Sequence, residues 1–483
     1  MKKIYTLLII MVGFAPSMIF AQKHLSFKDG KFRIVQFTDM HWNINTAKSD
    51  ETIATVKAVL NKEQPDLAIL TGDIVGGDSA LESWMFLVDL FENAKTPFAV
   101  TMGNHDPENV NKNELYDMLL QSPYFVGEKG PRDIKGVGNY AIPVYNSKNQ
   151  NKVEAVLYCL DSNDYSESNI KYGYYDWVKF NQIEWYRNQS LQFAQNNGSS
   201  PIPSLAFMHI PLIEYNNIID RPNTLGNFLE SGVSSPRINS GLFGSFIDMK
   251  DMMGVFVGHD HDNDIIGVEY GIALGYGRVT GFDAYGSLER GGRIIELYEE
   301  TPQFDTWIST PTRREHKFYY PSELSSLDEE TMEYLPAKNV NPTKQGVSYT
   351  YYEGNFKKTD QVTSGEKVEE GVMENISIEN ARLEDHFGYD YRTMIKIPKK
   401  GVYRFYTFSD DGSKLYIDGQ EVVDNDGGHS ARRREGKVAL DEGFHELRVL
   451  YFEDYMGQEL EVGISSREII ETTLPDKILY IPE

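Results

Sequence analysis

Between Phe32 and about Tyr298, short apolar runs alternate with stretches of helical period. Phe32–Phe37 reads as a strand, and Ile53, Val56 and Leu60 then recur at helical spacing. Asp66–Leu70 reads as a buried strand, Leu81–Phe91 as a helix and Pro97–Thr101 as a third strand. Such alternation predicts βαβ units and an α/β sheet. Val153–Leu160, Ser204–Met208 and Gly254–Val257 predict further strands. From about Thr301 the pattern breaks. Pro302, Pro311, Pro321, Pro336 and Pro342 fall in a stretch of mixed charge, which predicts a connector over 301–342 packed along the first domain. From Val347 onward, strand-like runs are divided by Asp411-Gly412, Asp418-Gly419, Asp426-Gly427-Gly428 and Glu442-Gly443. These turn signals predict an all-β module.

The N-terminus breaks this alternation in a different way. Met1-Lys2-Lys3 precedes an apolar run from Ile4 to Phe20 and then Ala21-Gln22. A basic start, a short apolar core and a small residue predict a signal peptide over 1–21, cleaved after Ala21. No cysteine follows the run, so a lipoprotein anchor is not expected. No other stretch approaches the ~18 uninterrupted apolar residues of a spanning helix, so no stable membrane span is expected. The mature chain is expected in the periplasm or outside the cell.

At 483 residues the chain exceeds what one core organises, which predicts at least two domains. The formal net charge of −25 repels nucleic-acid backbones, so no such partner is expected. It also means that an anionic substrate needs a local attraction, which bound metal cations supply. The single cysteine, Cys159, lies in the apolar run Val156–Leu160 and reads as a buried strand residue; it rules out an intrachain disulfide and a thiolate metal cluster.

The polar residues that follow the strands carry the chemistry. The first strand leads into Asp39-Met40-His41, the second into Gly72-Asp73 and the third into Gly103-Asn104-His105-Asp106. Later strands lead into Met208-His209-Ile210 and Gly258-His259-Asp260-His261. Each motif alone is common: Gly-Asp is usually a turn, and a lone histidine is usually a satisfied core residue. Their conjunction at five strand ends is not common, because strand ends in an α/β sheet open into one crevice. Imidazole, carboxylate and amide oxygen together suit divalent Mn, Fe or Zn. Seven candidate ligands, Asp39, His41, Asp73, Asn104, His209, His259 and His261, are too many for one four-coordinate ion and fit two ions with a shared bridge.

This order of motifs, covering about residues 31–300, resembles the calcineurin-like metallophosphoesterases. The resemblance implies a four-layer α/β (α+β) sandwich with two divalent transition-metal ions. It implies Asp39, His41, Asp73 and His261 around one metal, Asp73, Asn104, His209 and His259 around the other, and Asp73 as the bridge. His105 looks like the family's histidine beside the leaving group, and Asp106 like the residue that orients it. The expected reaction is hydrolysis of a phosphate ester by a metal-activated hydroxide, with a phosphomonoester ahead of a phosphodiester. Phe207–Tyr215, Ile238–Gly241 and Gly258–Asp264 are similar to the purple-acid-phosphatase-like branch of plants and fungi. Purple members place a tyrosine three residues after the bridging aspartate; here that position is Gly76, so no ferric tyrosinate is expected.

Gly401–Gly419, with Val422–Asn425 and Gly443–Leu447, resembles the β-sandwich domain of anthrax protective antigen and fungal adhesins. The likeness spans 343–468 and leaves 469–483 as a tail. In adhesin members an Asp-Asp pair holds calcium, which holds a sugar; Asp410 and Asp411 match that pair, and a plain structural turn is the competing reading. Arg432-Arg433-Arg434 reads as a solvated loop. The expected partners are a phosphate ester and, through the second domain, a glycan or cell-surface polysaccharide. The alternative from another class is a carbohydrate- or surface-binding protein with an inactive first domain.

Overall fold

The computed structural model describes residues 24–481. The leader expected over 1–21 lies outside them. No helix among the described residues is long and apolar enough to cross a membrane.

Two mixed sheets face each other in the first unit. One has seven strands, in the spatial order Leu324–Ser325, Arg314–Tyr320, Phe304–Ser309, Gly292–Tyr298, Lys31–Phe37, Leu67–Thr71, Phe98–Thr101. The other has six, in the order Tyr140–Tyr145, Val153–Cys159, Ser204–Phe207, Met252–Val257, Ile272–Tyr276, Ile266–Glu269. Residues with both faces covered read as continuous apolar runs, as in Leu67–Thr71 and Met252–Val257, where every position is buried. Helices Ser49–Glu63 and Ala80–Ala94 contribute Ile53, Val56, Trp84 and Leu87 to the core shared by the sheets. Phe180–Asn196 and Leu242–Met249 bury Ile183, Tyr186, Leu242 and Phe246 against the outer face of the second sheet. The result is helix, sheet, sheet, helix. Cys159 is fully buried on its strand, and burial pushes its thiol up to about 12.

The stretch expected to be a connector is instead largely sheet. Phe304–Ser309 pairs with Gly292–Tyr298, Arg314–Tyr320 pairs with Phe304–Ser309, and Leu324–Ser325 closes the edge. Its mixed charges are answered by pairing within the sheet and with the neighbouring helix. Arg314 pairs with Glu63 at 2.8 Å and Lys317 with Asp305 at 3.0 Å.

The second unit is a β-sandwich. One sheet orders Tyr334–Leu335, Arg432–Leu440, Gly401–Asp410, Glu459–Ser466, Thr472–Thr473. The other contains Val347–Glu353, Phe387–Ile397, Gly443–Glu453 and Ser413–Ile417, around a core that includes Tyr391, Phe405, Val449 and Ile464. The expected tail also belongs to this unit, because Leu479–Tyr480 pairs with Phe387–Ile397. Arg432–Leu440 is a strand rather than the expected loop, and Arg433 pairs with Glu471 at 2.6 Å.

The two units meet through a small apolar patch of Tyr319, Leu324, Val402 and Ala439. Around it, Arg404 pairs with Glu323 at 2.7 Å, Lys437 with Asp328 at 2.9 Å and Arg467 with Asp305 at 2.8 Å.

Candidate metal centre

The parallel strands Lys31–Phe37, Leu67–Thr71 and Phe98–Thr101 of the first sheet and Ser204–Phe207 and Met252–Val257 of the second run into one crevice. Asp39, Asp73, Asn104, His209 and His259 stand just beyond their carboxyl ends, where an α/β sheet presents ligand groups. The backbone there is strained. Asp39, His41, Asp73 and His259 have φ of 51°, 41°, 51° and 80°, in the left-handed region that non-glycine residues avoid. The neighbouring glycines are required by space. A Cβ on Gly72 would meet the His209 ring at 2.5 Å, and one on Gly103 would collide with the Asp73 carboxylate.

Two groups of donors converge: Asp39, His41 and His261, and Asp73, His209 and His259, each with its ligand atoms within 4.8 Å of one another. Asp73 lies between them. Its Oδ2 is 3.1 Å from His209 Nε2 and 3.8 Å from His41 Nε2, and its Oδ1 accepts the His105 amide at 2.8 Å. His209 Nδ1 donates to the Thr71 carbonyl at 2.8 Å, which orients the ring and aims Nε2 at the crevice. Asn104 donates its amide to the Tyr165 hydroxyl at 3.0 Å, and its buried Oδ1 has no partner.

A pair of divalent cations fits these residues. His41 Nε2 lies 3.3 Å from His261 Nε2 and His209 Nε2 lies 3.2 Å from His259 Nδ1, so four ring nitrogens converge in pairs where a cation would take their lone pairs. Asp39 and Asp73 are both 1% exposed, and buried carboxylates need compensating charge. The charges of these side chains act strongly on one another. Burial alone would raise the Asp73 carboxyl, but His209 and His41 outweigh it and hold it well below the carboxylate range. Burial would lower His209, but the Asp73 charge pushes it up to about 10; burial and then the His209 charge push His259 down to about 3.

His105 sits at the mouth with its Nε2 4.0 Å from Asp73 Oδ2. Asp106 does not touch its ring. The Asp106 carboxylate is buried and accepts the amides of Asp73, Ile74, Val75 and Gly103 at 2.8–3.2 Å. The ring is held instead by Glu108, whose Oε1 is 2.9 Å from His105 Nδ1. The sequence alone gave no reason to choose Glu108, since only a helical turn brings position i+3 under the imidazole. Gly76 lies against the His41 backbone, its amide donating to the Trp42 carbonyl at 3.0 Å.

The calcineurin-like phosphoesterase family matches residues 32–263, and the PA14 domain matches 343–477. A protein of Arabidopsis thaliana named probable inactive purple acid phosphatase 29 is 30% identical over 63% of this chain and 86% of its own. The chain belongs to the calcineurin-like phosphoesterases. Phosphatase DCR2 of Saccharomyces cerevisiae is 32% identical over 61% of this chain and 56% of its own length. A dimetal phosphatase from Danio rerio superposes with a TM-score of 0.43 at 12% identity, over 60% of this chain and 98% of that one.

Two further carboxylate clusters occur among the described residues. Asp264, Glu315 and His316 are already bridged by Arg278, which reaches both carboxylates. In the PA14 domain, Asp410 and Asp411 are joined by Glu453, which the sequence did not single out. Asp411 accepts the amides of His429 and Asp454 at 2.7 and 2.9 Å, so the pair also holds its own turn together.

Proposed function

We propose that this phosphoesterase is an exported hydrolase of phosphate esters, with monoesters preferred, that works with two divalent transition-metal ions. The observation that carries the reading is Asp73 standing between two converging triads of buried donors. Asp39, His41 and His261 would hold one ion, His209, His259 and Asn104 the other, with Asp73 shared. When bound, such a pair neutralises phosphoryl charge and activates water near neutral pH. The chain's own residues do the rest. The Asp106 carboxylate gathers the backbone of both the second and third strand ends, fixing Asp73 relative to Asn104. Tyr165 orients the Asn104 amide. His105, at the mouth, gives a proton from Nε2 to the departing alkoxide while Glu108 holds Nδ1. For the PA14 domain we propose a glycan ligand, with Asp410, Asp411 and Glu453 as the calcium-binding edge.

Elemental analysis of the purified chain, paired with rates on a phosphomonoester and a phosphodiester, tests this. About two metals per chain and monoester turnover are expected, and Asp73→Asn or His209→Ala should lower both. Some plant relatives are named inactive, which makes the opposite result concrete. A metal-loaded chain that turns over neither ester would leave a surface-binding protein with a silent first domain.

A further inference from the structure

The cavity over the metal centre encloses about 360 Å³, the size of a small-molecule pocket. Beyond the histidines, it is lined by Tyr175 and Tyr285 and by the carboxylates of Asp73 and Asp283, with Tyr165 and Tyr174 packed beside Tyr175. Tyr175 stands edge-on to His259, with ring centroids 4.5 Å apart. Tyr165 and Tyr174 pack against it at 6.2 and 5.2 Å, and Tyr165 reaches the His105 ring at 6.4 Å. Across the cavity, Tyr285 stacks on His261 at 3.9 Å and 26°, so one face of its ring is taken and the other is open. These are not ordinary core tyrosines: Tyr174 is 60% and Tyr285 57% exposed. Several open aromatic faces beside one cavity mark a ligand surface. Asp283 lines the same cavity, Glu230 sits beside the Tyr285 phenol and Glu108 beside His105. None of the residues lining it is a lysine or arginine. A second phosphate or carboxylate on a substrate would therefore meet carboxylates without a cationic side chain to answer it.

We infer that the favoured esters carry a single phosphate and present a flat aromatic ring, which rests on the Tyr165–Tyr174–Tyr175 wall or on Tyr285. Esters with a second anionic group are poor ligands. The inference rests on the phosphoesterase reading of the metal centre and adds the substrate class. Ring-on-ring contact contributes through offset or edge geometry, and one such contact corresponds to roughly threefold to tenfold in affinity.

The test uses the metal-loaded full chain and non-hydrolysable probes, so it does not depend on turnover. Calorimetry compares phenylphosphonate with methylphosphonate, and propylphosphonate with 3-phosphonopropionate. Phenylphosphonate should bind at least several-fold tighter than methylphosphonate, and 3-phosphonopropionate more weakly than propylphosphonate. Tyr174→Ala should reduce the ring preference with metal content and methylphosphonate binding unchanged; Tyr285→Ala should reduce it too, its ring preference being compared at equal metal content because Tyr285 stacks on His261, while Tyr174→Phe and Tyr285→Phe keep it. Equal binding of the phenyl and methyl probes, or a preference that survives both alanine variants, overturns the inference. Ring preference without hydrolysis of any ester leaves the subsite standing and removes the phosphoesterase reading. Hydrolysis without ring preference does the reverse, and no binding of either phosphonate removes both.

Discussion

Glu108 Oε1 stands 2.9 Å from His105 Nδ1, within a single helical turn, and so takes the position beside the imidazole that the neighbouring Asp106 leaves. The pair is half open to solvent, with side chains 41% and 46% exposed, so the bond is worth only about 1 kcal/mol. Glu108→Ala should therefore lower turnover about fivefold, with metal content and thermal stability unchanged. His105→Ala should cost about 10²–10⁴ in rate, the size of an acid–base contribution. Steady-state rates with metal analysis check both; a Glu108→Ala enzyme with full activity would remove its positioning role.

Asp106 makes a different prediction. Its two carboxylate oxygens accept four buried backbone amides, from Asp73, Ile74, Val75 and Gly103. Asp106→Asn turns one acceptor into a donor facing donors, and an unpaired buried amide costs about 1–3 kcal/mol. The variant should melt at lower temperature and bind metal more weakly, because the same backbone carries Asp73 and precedes Asn104. A variant that lost activity but kept stability and metal content would instead place Asp106 at the chemistry.

Why the metal-binding groups could be read from sequence, and the tyrosine walls could not, follows from how each is encoded. Every metal-site motif is local: a strand of buried residues, then a glycine or a tight turn, then the donor. Asp39, Asp73 and His209 announce themselves that way even though they meet only in the fold. Tyr165, Tyr174, Tyr175 and Tyr285 lie in loops without period, and nothing near Tyr285 signals His261. The strand Arg314–Tyr320 was hidden for another reason. Its charges are answered by Glu63, Arg278 and Asp305, so tertiary pairing overrides what the local sequence favours.

That strand changes what a truncation should do. A chain ending at Thr301 loses Phe304–Ser309 and Arg314–Tyr320, leaves Gly292–Tyr298 as an open edge and strips Phe304 and Phe318 from the core. It should aggregate. A chain ending at Met332 keeps the whole sheet and uncovers the small apolar patch of Tyr319 and Leu324, ringed by Asp305, Glu323 and Asp328, which face the PA14 domain in the intact protein. It should stay soluble, bind metal and retain turnover on small esters, since the donors and His105 all precede it. Size-exclusion chromatography with metal analysis distinguishes the two cuts; a soluble, inactive, metal-loaded chain ending at Met332 would give the PA14 domain a part in the active site.

Glu453 gives the PA14 domain a pH dependence of its own. Its side chain is fully buried beside Asp410 and Asp411, its Oε1 has no partner, and the Tyr451 hydroxyl reaches its Oε2 only at 3.3 Å. Burial, then the Asp411 charge, push this carboxyl up to about 8 from an ordinary 4.5. The sign follows from proton linkage. Between about pH 4.5 and 8 the folded chain holds a proton at Glu453 that the unfolded chain has released, so this group's contribution favours folding at low pH and is lost as pH rises through that window. Across the window the loss amounts to a few kcal/mol at most. Other carboxylates titrate in the opposite sense, so the useful quantity is a difference. Glu453→Gln should gain melting temperature relative to the native chain at pH 8 and none at pH 4.5. Calcium binds ionised carboxylates and offsets their mutual repulsion, so it should raise the melting temperature of the native chain more at pH 8 than at pH 5. Glu453→Gln should blunt that response, and Asp411→Asn should abolish it while also weakening the turn through the His429 and Asp454 amides. A melting curve insensitive to calcium at pH 8 would leave Asp410 and Asp411 as turn residues alone, and a native-minus-variant difference flat from pH 4.5 to 8 would show that Glu453 is ionised throughout.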